Sequence, residues 1–256
     1  MTCTLIASAC TFVGRRKRNE DAYVLDAELG LFAVADGMGG YSGGEVASHL
    51  AVDALAEFWS ASADPDATWP YAYDRDLGFH ENRVDAAVRL ANRRICERRT
   101  GELRNMGSTV VMLAIRPGKA ICGHLGDSRI YRLRRGDAGP RLTQLTRDHS
   151  LYEQLREAGT PDLPPLEEFA YANVVTRALG AHEQGRPELR TLDLADGDLY
   201  LLCSDGLSGV LGDDELARLL AATPIESVAD VLVDAAHTAG SKDNITAIVV
   251  RVERRA

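Results

Sequence analysis

Two short turns set between apolar stretches constrain this chain more than anything else in it. Arg116-Pro-Gly-Lys119 separates Thr109–Ile115 from Lys119–Leu125, and Arg134-Arg-Gly-Asp137 follows Arg129–Leu133. Proline presets φ and glycine accepts a positive φ, so such segments reverse the chain within a few residues. Strands joined that tightly pair antiparallel, because a parallel return needs a crossover of roughly a dozen residues or more. Further strand signals lie at Leu31–Ala35, Leu199–Cys203 and Ile245–Val252. The opening stretch Met1–Cys10 reads as a first strand: it lacks the basic residues and the long apolar run of an export signal.

Helical periodicity appears outside these strands. Val46, Leu50, Ala54 and Phe58, flanked by Ala47, Ala51 and Leu55, form one apolar face, and Val84, Ala87, Val88, Ala91 and Ile95 form another. A third helix is expected to start at Thr223 as cap, with Pro224 first and Glu226 completing a capping box, its inner face being Val228, Val231, Leu232 and Ala235. Helices packed on antiparallel sheets make an α+β layered fold. Asp64–His80 and Gly159–Ala172 read as loops, the second holding Pro161, Pro164 and Pro165. No linker divides the chain, so residues 1–256 are expected to form one domain.

A net charge of −9 speaks against a nucleic-acid surface. The five cysteines form no CxxC pair, which points to reduced thiols in a cytoplasmic protein. No apolar run approaches the ~18 residues that span a bilayer.

Four acids stand at strand ends in well-separated segments: Asp36, Asp127, Asp205 and Asp243. Each alone has an ordinary explanation as a turn or cap residue, Asp127 most of all, since Lys119–Leu133 is expected to form a hairpin with Asp127 at its tip. Together they would repel one another unless a cation sat between them. Carboxylates without His or Cys partners favour Mg²⁺ or Mn²⁺ over Zn²⁺. The six histidines are dispersed and read as structural.

The order Arg16-Lys-Arg-Asn-Glu-Asp21, Asp36-Gly-Met-Gly-Gly40, Gly107-Ser-Thr109, Gly126-Asp-Ser-Arg129, Asp148-His-Ser150, Ser204-Asp-Gly-Leu207 and Asp243-Asn244 resembles the metal-dependent protein phosphatases of type 2C in their bacterial form. The resemblance runs from about residue 12 to residue 252 and implies a four-layer α-β-β-α sandwich of two antiparallel sheets flanked by helices. It implies hydrolysis of phosphoserine and phosphothreonine by a water activated between two metals, Mn²⁺ or Mg²⁺, with no covalent intermediate. Asp36 would bridge the metals, the Gly37 carbonyl would complete one shell, and Asp205 and Asp243 would hold the other. Asp127 would support a third, weaker metal. Arg16 matches the phosphate-binding arginine, whose planar fork suits two phosphoryl oxygens. Glu20, Asp21 and Asn244 would hold metal-bound waters. The partners implied are phosphorylated proteins, those of a cognate Ser/Thr kinase and the kinase itself, without nucleic acid or membrane. No sensor segment accompanies these motifs, so regulation is expected from a flap at about residues 159–173, from metal supply or from other proteins.

Three departures stand out. Met38 occupies the place of a proton-donating histidine in eukaryotic relatives, Tyr41 that of a histidine usual in bacterial ones, and Phe169-Ala-Tyr-Ala replaces the His-Pro that often precedes Asn173–Gly180. The leaving-group acid is thereby unassigned, with a metal-bound water as the candidate.

Rival readings rest on thinner patterns. Cys10 and Arg16 satisfy the C-x5-R spacing of cysteine phosphatases but lack its glycine-rich loop and following helix. Gly37-x-Gly39-x3-Gly43 suggests a dinucleotide turn, yet the acid about 20 residues on, Glu57, falls inside a helix. A phosphatase-like binding module would not need all four acids.

Overall fold

The computed structural model describes residues 3–40, 42–64, 68–136, 139–182 and 185–254. β1 (Cys3–Phe12), β2 (Asp21–Asp26) and β3 (Leu31–Met38) lead into α1 (Gly43–Ala61) and α2 (Phe79–Arg98). β4 (Gly107–Ser108), β5 (Val110–Arg116), β6 (Lys119–Leu125), β7 (Arg129–Gly136) and β8 (Gly139–Gln144) come next, followed by α3 (Leu151–Glu157). A long connection then reaches β9 (Glu188–Asp193), β10 (Leu199–Cys203), α4 (Asp205–Ser208), α5 (Asp213–Ala222), α6 (Val228–Thr238) and β11 (Ile245–Arg254).

The strands form two antiparallel sheets, ordered β1-β11-β10-β7-β8 and β2-β3-β5-β6-β9, with β4 pairing the end of β3. Side chains alternate faces along a strand, and the chain uses that alternation to build three cores. Phe32 and Val34 of β3, Val111 and Leu113 of β5, Tyr200 and Leu202 of β10, and Ile248 and Val250 of β11 fill the space between the sheets. Leu31, Ala33 and Ala35 turn the other way onto α1 and α2. Leu201, Cys203, Ala247 and Val249 turn outward onto α4, α5 and α6. An antiparallel sheet often leaves one face to water; here helices cover both outer faces, so the central strands read as unbroken apolar runs. The result is the four-layer α+β sandwich.

Several local expectations are displaced. α1 packs deepest through Ala47, Ala51, Ala54 and Leu55, while Val46 and Leu50 are only partly buried beside them. Thr223 closes α5 instead of opening the next helix, and α6 starts at Val228 behind Ser227. Its buried face is Val228, Ala229, Leu232, Val233 and Ala236; Val231 and Ala235 lie at the edge of the core. The expected loop 64–80 stops short, because α2 already begins at Phe79. β7 runs through Arg134 and Arg135 to Gly136, so the reversal falls later than expected, and Asp137 lies outside the described residues.

The largest correction concerns the corner between β6 and β7. These strands belong to different sheets, so Gly126-Asp-Ser128 is no hairpin tip; it carries the chain across the sandwich. β2, β8 and β9 escaped the sequence reading because they lie at sheet edges, where charged residues and proline are tolerated.

Candidate metal and phosphate site

One end of the sandwich gathers the acids. Asp36 lies near the end of β3, Asp205 opens α4 directly after β10, and Asp243 sits two residues before β11. Asp127 occupies the β6–β7 corner. Asp21, the first residue of β2, stands opposite Asp36 in the antiparallel register. Asp36 feels the charges of all four others.

Local hydrogen bonds fix this arrangement. The Asp36 amide donates to Thr109 Oγ1 at 3.0 Å, its carbonyl accepts from the Thr109 amide at 2.8 Å, and Thr109 Oγ1 meets Ser128 Oγ at 2.7 Å. β3 and the β6–β7 corner are thus tied through one threonine. Asp21 is 4% exposed. Its Oδ2 accepts from Ser204 Oγ at 2.8 Å and from Thr246 Oγ1 at 2.7 Å. Gly37 and Gly44 pass so closely that a Cβ on Gly37 would run into the Gly44 and Glu20 carbonyls. No other residue type fits there.

The electrostatics are those of a site built around positive charge. Burial first, then the neighbouring acids, push Asp36 well above the ordinary carboxylate range. The same causes raise Asp21 and Asp127 to about 7 each, with hydrogen bonds from Thr246 and Ser204 holding Asp21 back. Asp205 is raised as well, mainly by burial and Asp243, and its carboxyl is in hydrogen-bonding contact with Asp36. Asp21 Oδ1 and Asp205 Oδ1 are buried acceptors without a partner among the described residues. Buried polar atoms are rarely left so. Orphaned carboxylate oxygens, an all-oxygen donor set and a side-chain-free cradle at Gly37 fit hard divalent cations.

Asp21, expected at the periphery of a metal pair, is as deeply set in the cluster as Asp36. Glu20 lies against Gly44 at the start of α1, where burial raises its carboxyl and Arg16 opposes that rise. Asn244 is engaged with backbone: Oδ1 accepts from the Glu20 amide at 2.8 Å, and Nδ2 donates to the Val13 and Arg18 carbonyls at 2.9 Å each. It clamps the loop that carries Arg16. Arg16 Nη2 donates to Asp243 at 2.5 Å and Nε to the Lys242 carbonyl at 3.2 Å. The guanidinium is 55% exposed at the mouth of the site. Met38 packs over Gly107, and Tyr41 lies outside the described residues.

Two histidines expected to be scattered come together. His124 and His149 stack with centroids 4.7 Å apart and planes within 3°, beside Glu188 and Arg177. Nothing in sequence spacing signals this pair. Thr246, which holds Asp21, was missed because hydroxyls beside strand ends are commonplace, and Ser204 stood in a motif without a role, which its bond to Asp21 supplies. The segment 159–173 contains only the short turn Leu166–Glu168. Phe169 packs between Tyr152 and Tyr171, with centroids 5.4 and 6.0 Å away. Its return is pinned near the site by the bridges Ser150–Val175 and Ser108–Leu179.

Both rival enzymes lose ground. Cys10 lies within β1, where burial and Asp230 raise its thiol to about 11, the opposite of an activated nucleophile. The glycine turn after β3 leads from an antiparallel sheet, which lacks the parallel βαβ unit of dinucleotide binders.

A two-sheet sandwich covered by helices, with an acid cluster at one end, defines a class of metal-dependent hydrolases. Residues 13–248 match the model of the family "Protein phosphatase 2C". The chain belongs to that family. It is 34% identical over 239 residues to the serine/threonine protein phosphatase PstP of Mycobacterium tuberculosis, covering 93% of this chain and 43% of PstP. It is 32% identical to the protein phosphatase PhpP of Streptococcus pneumoniae, covering 95% of this chain and 96% of PhpP. A crystal structure of the PstP catalytic domain in complex with two manganese ions superimposes with a TM-score of 0.80 at 35% identity, covering 99% of this chain and all of that one. The chain thus spans less than half of PstP and nearly all of PhpP. No described helix is long and apolar enough to cross a membrane.

Proposed function

We propose that this chain is a metal-dependent phosphoprotein phosphatase that hydrolyses phosphoserine and phosphothreonine. The observation that carries this reading is the convergence of five carboxylates, two with orphaned buried oxygens, on one end of the sandwich. Asp36, the Gly37 carbonyl, Asp205 and Asp243 would hold two Mn²⁺ or Mg²⁺ ions, and Asp127 a third, weaker one. When bound, such a pair neutralises phosphoryl charge and acidifies a water for in-line attack.

The chain's own residues do the rest. Thr109 and Ser128 hold Asp36 in place, and Ser204 and Thr246 hold Asp21, so the site is formed before substrate arrives. Arg16 stands at the entrance with Nε and Nη2 engaged and Nη1 without a hydrogen bond among the described residues, so that it can orient a phosphate, and Asn244 keeps its loop against the acids. Asp243 sets the angle of that arginine through their ion pair. Residues 1–256 act as one catalytic domain with 159–173 as a flap. Phe169 and Tyr171 of that flap pack on one another and on Tyr152 of α3, an aromatic surface that could meet the protein part of a phosphoprotein. The counterpart is a Ser/Thr kinase, the substrates are its products and the kinase itself, and the setting is cytoplasmic, in keeping with cysteines that form no disulfide.

Hydrolysis of p-nitrophenyl phosphate with Mn²⁺ supplied or chelated tests the reading. Turnover should appear with metal and vanish in EDTA; full activity in EDTA overturns it.

A further inference from the structure

His149 touches both the corner that carries Asp127 and the returning limb of the 159–180 segment. Its amide donates to the Gly126 carbonyl at 2.9 Å, and the Gly126 amide donates to His149 Nδ1 at 3.1 Å. Backbone and ring thus close on one glycine from both sides. Gly126 itself has φ +112°, and a Cβ there would press on the Thr109 side chain. The residue before Asp127 is therefore locked between His149 and the threonine that holds Asp36.

On its other side, the His149 carbonyl accepts from the Thr176 amide at 2.7 Å. His149 Nε2 lies 2.8 Å from Arg177 Nη1 and 3.4 Å from Glu188 Oε2. Arg177 in turn donates to the Arg186 carbonyl at 2.9 Å. His149 is 5% exposed and stacks on His124. A metal between His124, His149 and Glu188 is a poor fit despite suitable atom spacing. Arg177 already occupies the Nε2 position, and parallel stacked rings do not direct their lone pairs at one point.

A neutral imidazole has one acceptor nitrogen. It can accept from Gly126 at Nδ1, or from Arg177 at Nε2, but not from both. Burial, the stacked His124 and the Arg177 charge keep this ring neutral, with its pKa lowered to about 4. The two neighbours therefore compete for one lone pair.

We propose that His149 is a positioning residue that couples the Asp127 corner to the 174–180 limb, so that the metal requirement set at Asp127 depends on how that limb is seated. The proposal rests on the phosphatase reading for its activity readout, though not for its structural one. Asparagine and glutamine separate the two contacts: Asn places an oxygen near the Nδ1 position, and Gln places its amide near Nε2. His149→Asn should keep the direct Gly126 contact but unseat the limb, so that hydrogen exchange of the 174–180 amides speeds up and the Mn²⁺ demand rises with it; a loosened limb with unchanged Mn²⁺ demand overturns the coupling. His149→Gln and His149→Ala should raise the Mn²⁺ concentration for half-maximal turnover roughly tenfold, as loss of a supporting partner commonly does. Calorimetric titration with Mn²⁺ should show the same shift. In an Asp127→Ala background His149→Gln should add no further shift, since both act on one site. The coupling is overturned if His149→Gln lowers only the melting temperature, or shifts metal demand equally with and without Asp127. If the wild type shows no metal-dependent turnover, the phosphatase reading fails by itself. Exchange at 126–127 and 174–180 then still decides the coupling: His149→Gln speeding both segments supports it, and either segment responding alone refutes it.

Discussion

At the residue scale the acid cluster opposes its own fold. Asp21 has a folded pKa near 7 against an ordinary 3.8. A carboxyl raised in this way contributes stability while protonated, in full below about 3.8, and loses it as pH climbs through 7. Metal-free protein should therefore melt at progressively lower temperature between pH 4 and 8, and saturating Mn²⁺ should remove most of that slope. Asp36→Asn and Asp205→Asn should each raise the metal-free melting temperature at pH 8 yet abolish most turnover; parallel melting curves and rate assays check both halves. Arg16→Ala should raise KM, with a kcat loss if the contact tightens in the transition state; unchanged kcat/KM alongside damaged Arg15→Ala or Arg18→Ala would place the phosphate contact on that neighbour instead. The acids were legible in sequence because Asp beside an apolar strand is conspicuous. Thr246, Ser204 and His149 were not, since their importance lies in partners at large sequence separation, such as Thr246 with Asp21.

At the element scale, junctions matter more than the elements. Gly206, the second residue of α4, packs against the residue that leads into β11, and a Cβ there would overlap the Asn244 carbonyl. Gly206→Ala should cost about 2–3 kcal/mol as overpacking against rigid backbone, readable by denaturant titration. The far end of α1 is closed by Arg83, 4% exposed. It donates to the Trp59 carbonyl at 2.7 Å and Ser62 Oγ at 3.0 Å, with its guanidinium 3.9 Å over the Trp59 ring. Arg83→Met should destabilise by about 2 kcal/mol through the stranded carbonyl and leave kcat unchanged, since it sits away from the acids. Central strands and long helices followed from periodicity. The β6–β7 corner did not, because a turn sequence fixes a reversal and says nothing of which sheet receives the next strand.

Across the whole molecule, five scattered segments serve one site, and none of the thiols does. Burial raises Cys122 and Cys203 to about 12 and Cys10 to about 11. Iodoacetamide at neutral pH should leave activity intact, and rapid inactivation would revive a thiol mechanism. The class of fold was readable from antiparallel turns and helix pairs, whereas the four-layer order followed only from the family resemblance. Strand order in a sheet is set by packing between distant segments, which local patterns do not encode.

β11, the last of the described strands, does not lie at an edge; it is inserted between β1 and β10, ten residues in register with the first strand. It also brings Thr246 to Asp21 and follows directly on Asp243 and Asn244. During synthesis, a ribosome that has made everything up to residue 240 holds a chain with β1 unpartnered and Arg16 on an unclamped loop. The acid cluster is therefore assembled only once β11 has been made, and a product cut before Asp243 should form neither the cluster nor the sheet that holds it.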